Sequence, residues 1–158
     1  MGDIDINKEL EAFDKDTRLL VEAGYIALKQ IDEKSAQSCF YAAIALRPNE
    51  SLPVVGLGQM ELFKLNIEEA KKMFNMVLEK EKGHEMAQTL LAVANVYSLE
   101  KPDIDQGSSQ IEEILKKTKD PAIVALCKDT LNVKKHIHNK MKDLHPLESK
   151  TTKNHFFN

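Results

Sequence analysis

The sequence predicts an all-α protein built as an array of helical hairpins. Three observations predict it. Residues recur at a step of 34 positions, so that Gly24 falls on Gly58, Ala36 on Ala70 and Phe40 on Phe74. Breakers are sparse, with 6 Gly and 5 Pro in 158 residues, and long helices are therefore allowed. Trp is absent and aromatic residues make up 6%, which disfavours the core of a β-sandwich.

Residues 4–14 carry Ile4, Ile6, Leu10 and Phe13. They read as a short amphipathic segment, within an N-terminal region 1–16, that caps the first hairpin or pairs with a second subunit as a homodimer or co-chaperone contact. Helix A1 is expected over about 17–30 and B1 over about 33–46, with Asp32 as N-cap. A2 follows at about 52–64. B2 spans about 67–80, opened by Asn66 with Glu69 three residues on in the manner of a capping box, and closed by Gly83. A3 covers about 85–98. Pro102-Asp103 breaks the chain before B3 at about 105–118. Asp120-Pro121 opens a last helix over about 121–142, whose apolar residues include Ile123, Leu126, Cys127 and Leu131. A stack of hairpins leaves its final pair with an open apolar face, so this helix either caps that face or lies across the groove of the array. Residues 146–158 read as a polar, mobile tail with Lys150, Lys153 and Phe156-Phe157.

The units line up in detail. The first contains Leu20, Ala23, Gly24, Ala27, Ala36, Phe40, Ala43 and Pro48; the second contains Val54, Leu57, Gly58, Glu61, Ala70, Phe74, Val77 and Lys82. The third begins with Gln88, Leu91, Ala92 and Asn95, takes three inserted residues, and continues with Gly107, Ile111, Ile114 and Lys119. Two helices cross closely only where small residues face each other, which accounts for the Gly and Ala positions. The Phe fills the gap between one hairpin and the next, and Pro48 ends a helix that it cannot continue. On these residues the chain resembles the tetratricopeptide-repeat family over roughly residues 17–119. The domain is expected over 17–145, with three repeats and a capping helix.

Composition and motifs exclude several function classes. A net charge of -3 does not suit a polyanion binder. The basic run Lys134, Lys135, Lys140 and Lys142 carries no interleaved aromatic residues and no Arg, and reads as solvated helix surface instead of a nucleic-acid interface. No apolar run approaches the length of a membrane span, and the first seven residues are acidic where a signal peptide is basic. Met1-Gly2 is followed by Ile6 where a myristoylation motif wants Ser or Thr. Cys39 and Cys127 have no metal-ligating neighbours, and a reducing cytoplasmic compartment follows as the default. Gly56-Leu57-Gly58 lies inside a predicted helix and lacks the Lys or third Gly of a phosphate loop. His136 and His138 point to opposite sides of a helix. Asp103-Ile104-Asp105 lacks the Gly and Glu of a calcium loop. The expectation is a protein that binds and does not catalyse, without metal or cofactor.

The resemblance implies where binding occurs, because in that family the A helices line a concave face. In A1 it implies Arg18, Val21, Tyr25, Leu28 and Lys29. In A2 it implies Leu52, Val55, Gln59, Leu62 and Phe63, and in A3 Met86, Thr89, Val93, Val96 and Tyr97. One subclass of the family clamps acidic C-terminal tails with Lys, Asn and Arg on its A helices. The corresponding positions here are Val21, Tyr25, Gly56, Met86 and Leu90, and none matches. The expected partner is therefore a hydrophobic extended segment or amphipathic helix of a client, with Tyr25, Phe63 and Tyr97 as anchors. In size and repeat number the chain resembles the tetratricopeptide chaperones of type III secretion, which implies a cytosolic holder of aggregation-prone secretion substrates. The competing reading is a generic adaptor that assembles a complex.

Overall fold

The computed structural model describes residues 6–98 and 100–144, with side chains described for 14–98 and 100–136. Seven helices and no strand occur among the described residues: α1 (Ile6–Lys29), α2 (Glu33–Leu46), α3 (Ser51–Phe63), α4 (Ile67–Lys80), α5 (Glu85–Val96), α6 (Lys101–Lys117) and α7 (Pro121–Leu144). Helices α1/α2, α3/α4 and α5/α6 form three antiparallel hairpins stacked in order, and α7 packs on α5 and α6.

Small residues set how closely the hairpins approach. A methyl group at Gly24 would stand 2.6 Å from Cε1 of Phe40, and one at Gly56 would overlap the same ring. Phe40 is thus wedged between its own hairpin and the next, fully buried. Gly58 faces Phe74 in the same way. In the third hairpin Gly107 meets the α5 backbone directly, with Ala92 O 2.6 Å from the position of its missing Cβ. Ile111, fully buried, takes the place of the Phe. This is the register that the three inserted residues require.

Helix ends follow from local chemistry, with four departures from the expected bounds. Asp32 caps α2, its Oδ1 accepting from Ser35 N at 3.1 Å. His84 caps α5, Nδ1 accepting from Ala87 N at 3.2 Å. Asn66 occupies the N-cap position of α4, but its side chain makes no cap bond and donates instead to Glu61 Oε2 at 2.7 Å, so the expected capping box does not form. Gly83 lies in the turn after α4 without a positive φ, so it is not a left-handed cap. Pro102 does not break the chain. It sits in the first turn of α6, where its missing N–H is not needed, and the helix starts earlier than expected. Residues 6–29 are one continuous helix, where a separate segment and a helix from 17 were expected. The side chains of residues 4–13, to which the pairing role was assigned, lie outside the described residues, as does the tail 146–158.

The core is continuous from the second hairpin to α7. Phe74, Val77, Val93 and Ile111 pack with Ile123 and Cys127 of α7. Buried polar groups are satisfied within it: Thr89 Oγ1 donates to Glu85 O at 2.8 Å and Thr130 Oγ1 to Leu126 O at 2.8 Å. Burial pushes the Cys127 thiol above its ordinary pKa, as expected for an unreactive core cysteine.

Candidate peptide-binding groove

The A helices α1, α3 and α5 present one side of the array, and open depressions run along it with shared walls. The first, about 500 Å³, lies between α1 and the start of α3, lined by Arg18, Val21, Tyr25 and Leu52. Tyr25 also borders the second, about 680 Å³, together with Leu28, Ile31, Met60 and Phe63. Phe63 and Gln59 continue into a third, about 370 Å³, which Leu62, Leu65, Val93 and Tyr97 complete with Leu126, Thr130 and Val133 of α7. Helix α7 therefore packs on the third hairpin and forms the end wall of the groove without filling it. A fourth depression lies beyond Leu65 and Tyr97 and is lined by Glu68, Glu69 and Glu100.

Several of the exposed side chains on this track are large and apolar. Phe63 is 70% exposed and Tyr97 36%. Val133 and Leu52 are also exposed. Isolated exposed apolar residues need no explanation, whereas here a row of them borders neighbouring depressions.

The fifteen expected groove residues divide into three groups. Arg18, Tyr25, Leu28, Lys29, Leu52, Gln59, Phe63 and Tyr97 line the track with accessible surface. Val21, Leu62 and Val93 are buried and form the floor. Val55, Thr89 and Val96 are core residues that line none of these depressions, and half-buried Met86 packs against the core. Their placement corrects the expected groove list. The central helix α3 has neighbours on both sides, and α7 lies against α5, so a narrower strip of each A helix faces solvent than an isolated hairpin would expose. Ile31 and Leu65, in the turns that follow α1 and α3, were not expected on the track. Their own spacing of 34 was the available signal.

Tyr25 is more constrained than an interface anchor. Its ring meets Phe40 edge to face, with centroids 5.2 Å apart and planes at 74°. Its hydroxyl donates to Leu52 O at 3.4 Å, and burial pushes its pKa up to about 12. Charge on the track is locally balanced. Lys64 Nζ lies 2.8 Å from Glu33 and 3.1 Å from Glu61, and the bond to Glu33, then that to Glu61, raises its pKa. Burial would raise the Glu61 carboxyl, but hydrogen bonds from Asn66 and Lys64 outweigh it and hold it below the ordinary range. Among the described residues no group of three His, Cys, Asp or Glu could hold a metal, and no helix is long and apolar enough to cross a membrane.

No protein-family model and no curated protein sequence matches the chain. Solved structures do. The first tetratricopeptide domain of Spaghetti (RPAP3), bound to the HSP90 peptide SRMEEVD, superposes with a TM-score of 0.60 at 12% identity, covering 75% of this chain and 95% of that one. The tetratricopeptide domain of Arabidopsis OM64 gives 0.58 at 14% identity, covering 75% and 96%. The second such domain of human RPAP3, in complex with the HSP70 peptide SGPTIEEVD, gives 0.53 at 14% identity, covering 72% and 97%. The fold is that of a tetratricopeptide-repeat domain. In tetratricopeptide terms, α1, α3 and α5 are the A helices, α2, α4 and α6 the B helices, and α7 the helix beyond the last repeat. At these identities the likeness establishes the fold alone.

Proposed function

We propose that this chain is a protein-binding module whose A-helix groove holds an apolar or amphipathic segment of a client protein. The observation that carries the reading is the exposure of Phe63 between two connected apolar depressions, at the middle of the track. Phe63 extends into solvent from a rigid helix, and covering it with a partner's side chains returns about 25 cal/mol per Å² of apolar surface before ordering costs. Two structural neighbours hold peptides ending in EEVD. The positions expected to clamp such acidic tails are here Val21, Tyr25, Gly56, Met86 and Leu90, and none is a cation or Asn. Three of them, Val21, Gly56 and Leu90, are buried. A hydrophobic client suits this groove better than an acidic tail.

The finer reading is a cytoplasmic chaperone that keeps an aggregation-prone segment soluble without nucleotide, with a type III secretion substrate as the client class. The neighbours named above do not bear on that step, which rests on size and repeat number. A generic adaptor is the alternative, and the same groove supports it. Affinity purification from the source cells followed by mass spectrometry names the partner. Co-expression then separates the two readings: a chaperone raises the soluble yield of its client, whereas an adaptor binds a partner already soluble alone. Phe63→Ala with Tyr97→Ala is expected to weaken binding of the recovered partner by about ten-fold or more and to leave the melting temperature within a few degrees. Undiminished binding by that folded double variant would remove the groove from the account.

A further inference from the structure

The turns between the A and B helices of the first two repeats have the same hydrogen-bond pattern. After α1, Asp32 N donates to Ala27 O at 2.9 Å and Ile31 N to Leu28 O at 3.1 Å. After α3, Asn66 N donates to Glu61 O at 2.9 Å and Leu65 N to Leu62 O at 3.0 Å. These paired bonds are the Schellman motif, whose penultimate residue must be left-handed and is usually Gly. Here it is Ile31 and Leu65, both at φ 61°. A β-branched or bulky residue at positive φ is a true outlier, and Gly would adopt the same conformation without strain.

Nothing inside the fold compensates through these side chains. Ile31 is 91% exposed and Leu65 is 70% exposed. Each position therefore carries backbone strain and apolar surface in water together, and Gly would relieve both. The two residues stand 34 positions apart and border the depressions on either side of Phe63. Strain of this kind is a reason to look for a use outside the free molecule.

We propose that Ile31 and Leu65 form the rim of the groove and grip an amphipathic helix with a basic flank, belonging to another protein. The helical form follows from the shape of the track. The depressions that Ile31 and Leu65 border lie side by side and share Gln59 and Phe63, and one face of an amphipathic helix presents successive apolar side chains to both. The basic flank follows from charge. Next to Leu65 and Tyr97 the lining carries Glu68, Glu69 and Glu100 and no basic residue. Lys71 and Lys72 meet Glu68 and Glu69 at 3.1 and 3.3 Å, but Lys71 is shared with Asp103 at 2.5 Å. Glu100 has no ion pair among the described residues. At the Ile31 end the lining carries Lys29 and Lys64 against Glu33 alone. The cationic side of the partner thus lies at the Leu65 end.

This inference rests on the groove reading, and its test separates the two. Two labelled synthetic amphipathic helices, one of Leu and Lys and one of Leu and Glu, are titrated with the full chain by fluorescence anisotropy. The Lys peptide is expected to bind about ten-fold tighter. Ile31→Gly with Leu65→Gly is expected to weaken it about ten-fold while the melting temperature stays level or rises. A purely structural role would move the melting temperature and leave affinity unchanged, and that result would overturn the proposal. Equal binding of the Glu peptide would also overturn it. So would a dimer, seen by light scattering of the wild type and lost in the double variant, since the occupant would then be a second copy. If Phe63→Ala abolishes binding and the turn variants do not, the groove stands and this inference falls. If the wild type binds neither peptide, this inference falls and the groove reading is decided by the recovered partner and the Phe63→Ala, Tyr97→Ala variant.

Discussion

Phe40 and Phe74 show how single residues hold the repeats together. Each ring is fully buried against a glycine that leaves no room for a methyl group. Gly58→Ala places a Cβ 2.5 Å from Phe74 Cε1. Overpacking costs typically 1–3 kcal/mol, and the better helix propensity of Ala recovers up to about 1 kcal/mol. A net loss of about 1–2 kcal/mol is expected, read as a lower urea midpoint. Gly83→Ala meets nothing within 4 Å and should leave the midpoint unchanged or slightly raised. Tyr25 offers a second check at this scale. Its raised pKa means that the folded state disfavours the phenolate, so the contribution is present below the ordinary value of 10.0 and is lost as pH rises through about 12. Near-ultraviolet difference titration of the wild type against Tyr25→Phe should show the Tyr25 hydroxyl ionising only at about 12; ionisation at the ordinary value of 10.0 would contradict the packing of Tyr25 on Phe40.

Helices are also joined across repeats by ion pairs. Lys71 on α4 meets Asp103 in the first turn of α6 at 2.5 Å, and Ser98 Oγ donates to the same carboxylate at 3.1 Å. The bond from Lys71, then that from Ser98, holds the Asp103 carboxyl below its ordinary range. For Lys71, burial opposes the charge, but bonds to Asp103 and Glu68 outweigh it and raise the pKa. The signs give a pH window. The Asp103 contribution is present above its ordinary value of 3.8 and fades as pH falls through the lower folded value. The Lys71 contribution is present below 10.5 and fades as pH rises through the higher folded value. Asp103→Asn is therefore expected to lower the melting temperature at pH 7 and to flatten its decline below pH 4. Parallel acid curves for variant and wild type would show that the pair does not link the helices energetically.

At the scale of the molecule, α7 decides both where the array ends and where the groove ends. Ile123 and Cys127 join the core made by Val93 and Ile111, while Leu126, Thr130 and Val133 wall the third depression. Ile123→Asp puts a carboxylate into that core without a partner. A loss of roughly 3 kcal/mol or more is expected, with the third repeat opening first, seen as hydrogen exchange faster in α5–α7 than in α1–α2. Uniform exchange would mean that the array unfolds as one unit. The hairpins, the 34-residue register and the three-residue insertion were legible in the sequence, because Gly107 and Ile111 repeat the small-then-large pattern of Ala36 and Phe40. The lining of the candidate groove was half legible. Phe63, Tyr97 and Gln59 are where the register puts them, but Val55, Thr89 and Val96 turned inward.

The sequence by itself determined the helices and their pairing. Both depend on contacts between near neighbours along the chain: Asp32 with Ser35, Gly24 with Phe40, Gly58 with Phe74. Only the tertiary structure decided which A-helix residues remain at the surface. Val93 is buried beside α7, which starts almost thirty residues later at Pro121, and Phe63 is left exposed between two depressions that α1, α3 and α5 border. A helical period marks a residue as apolar and on one face. Whether that face meets protein or water is set by elements far away in the chain, and the left-handed turns at Ile31 and Leu65 became visible as a rim only once the helices were in place.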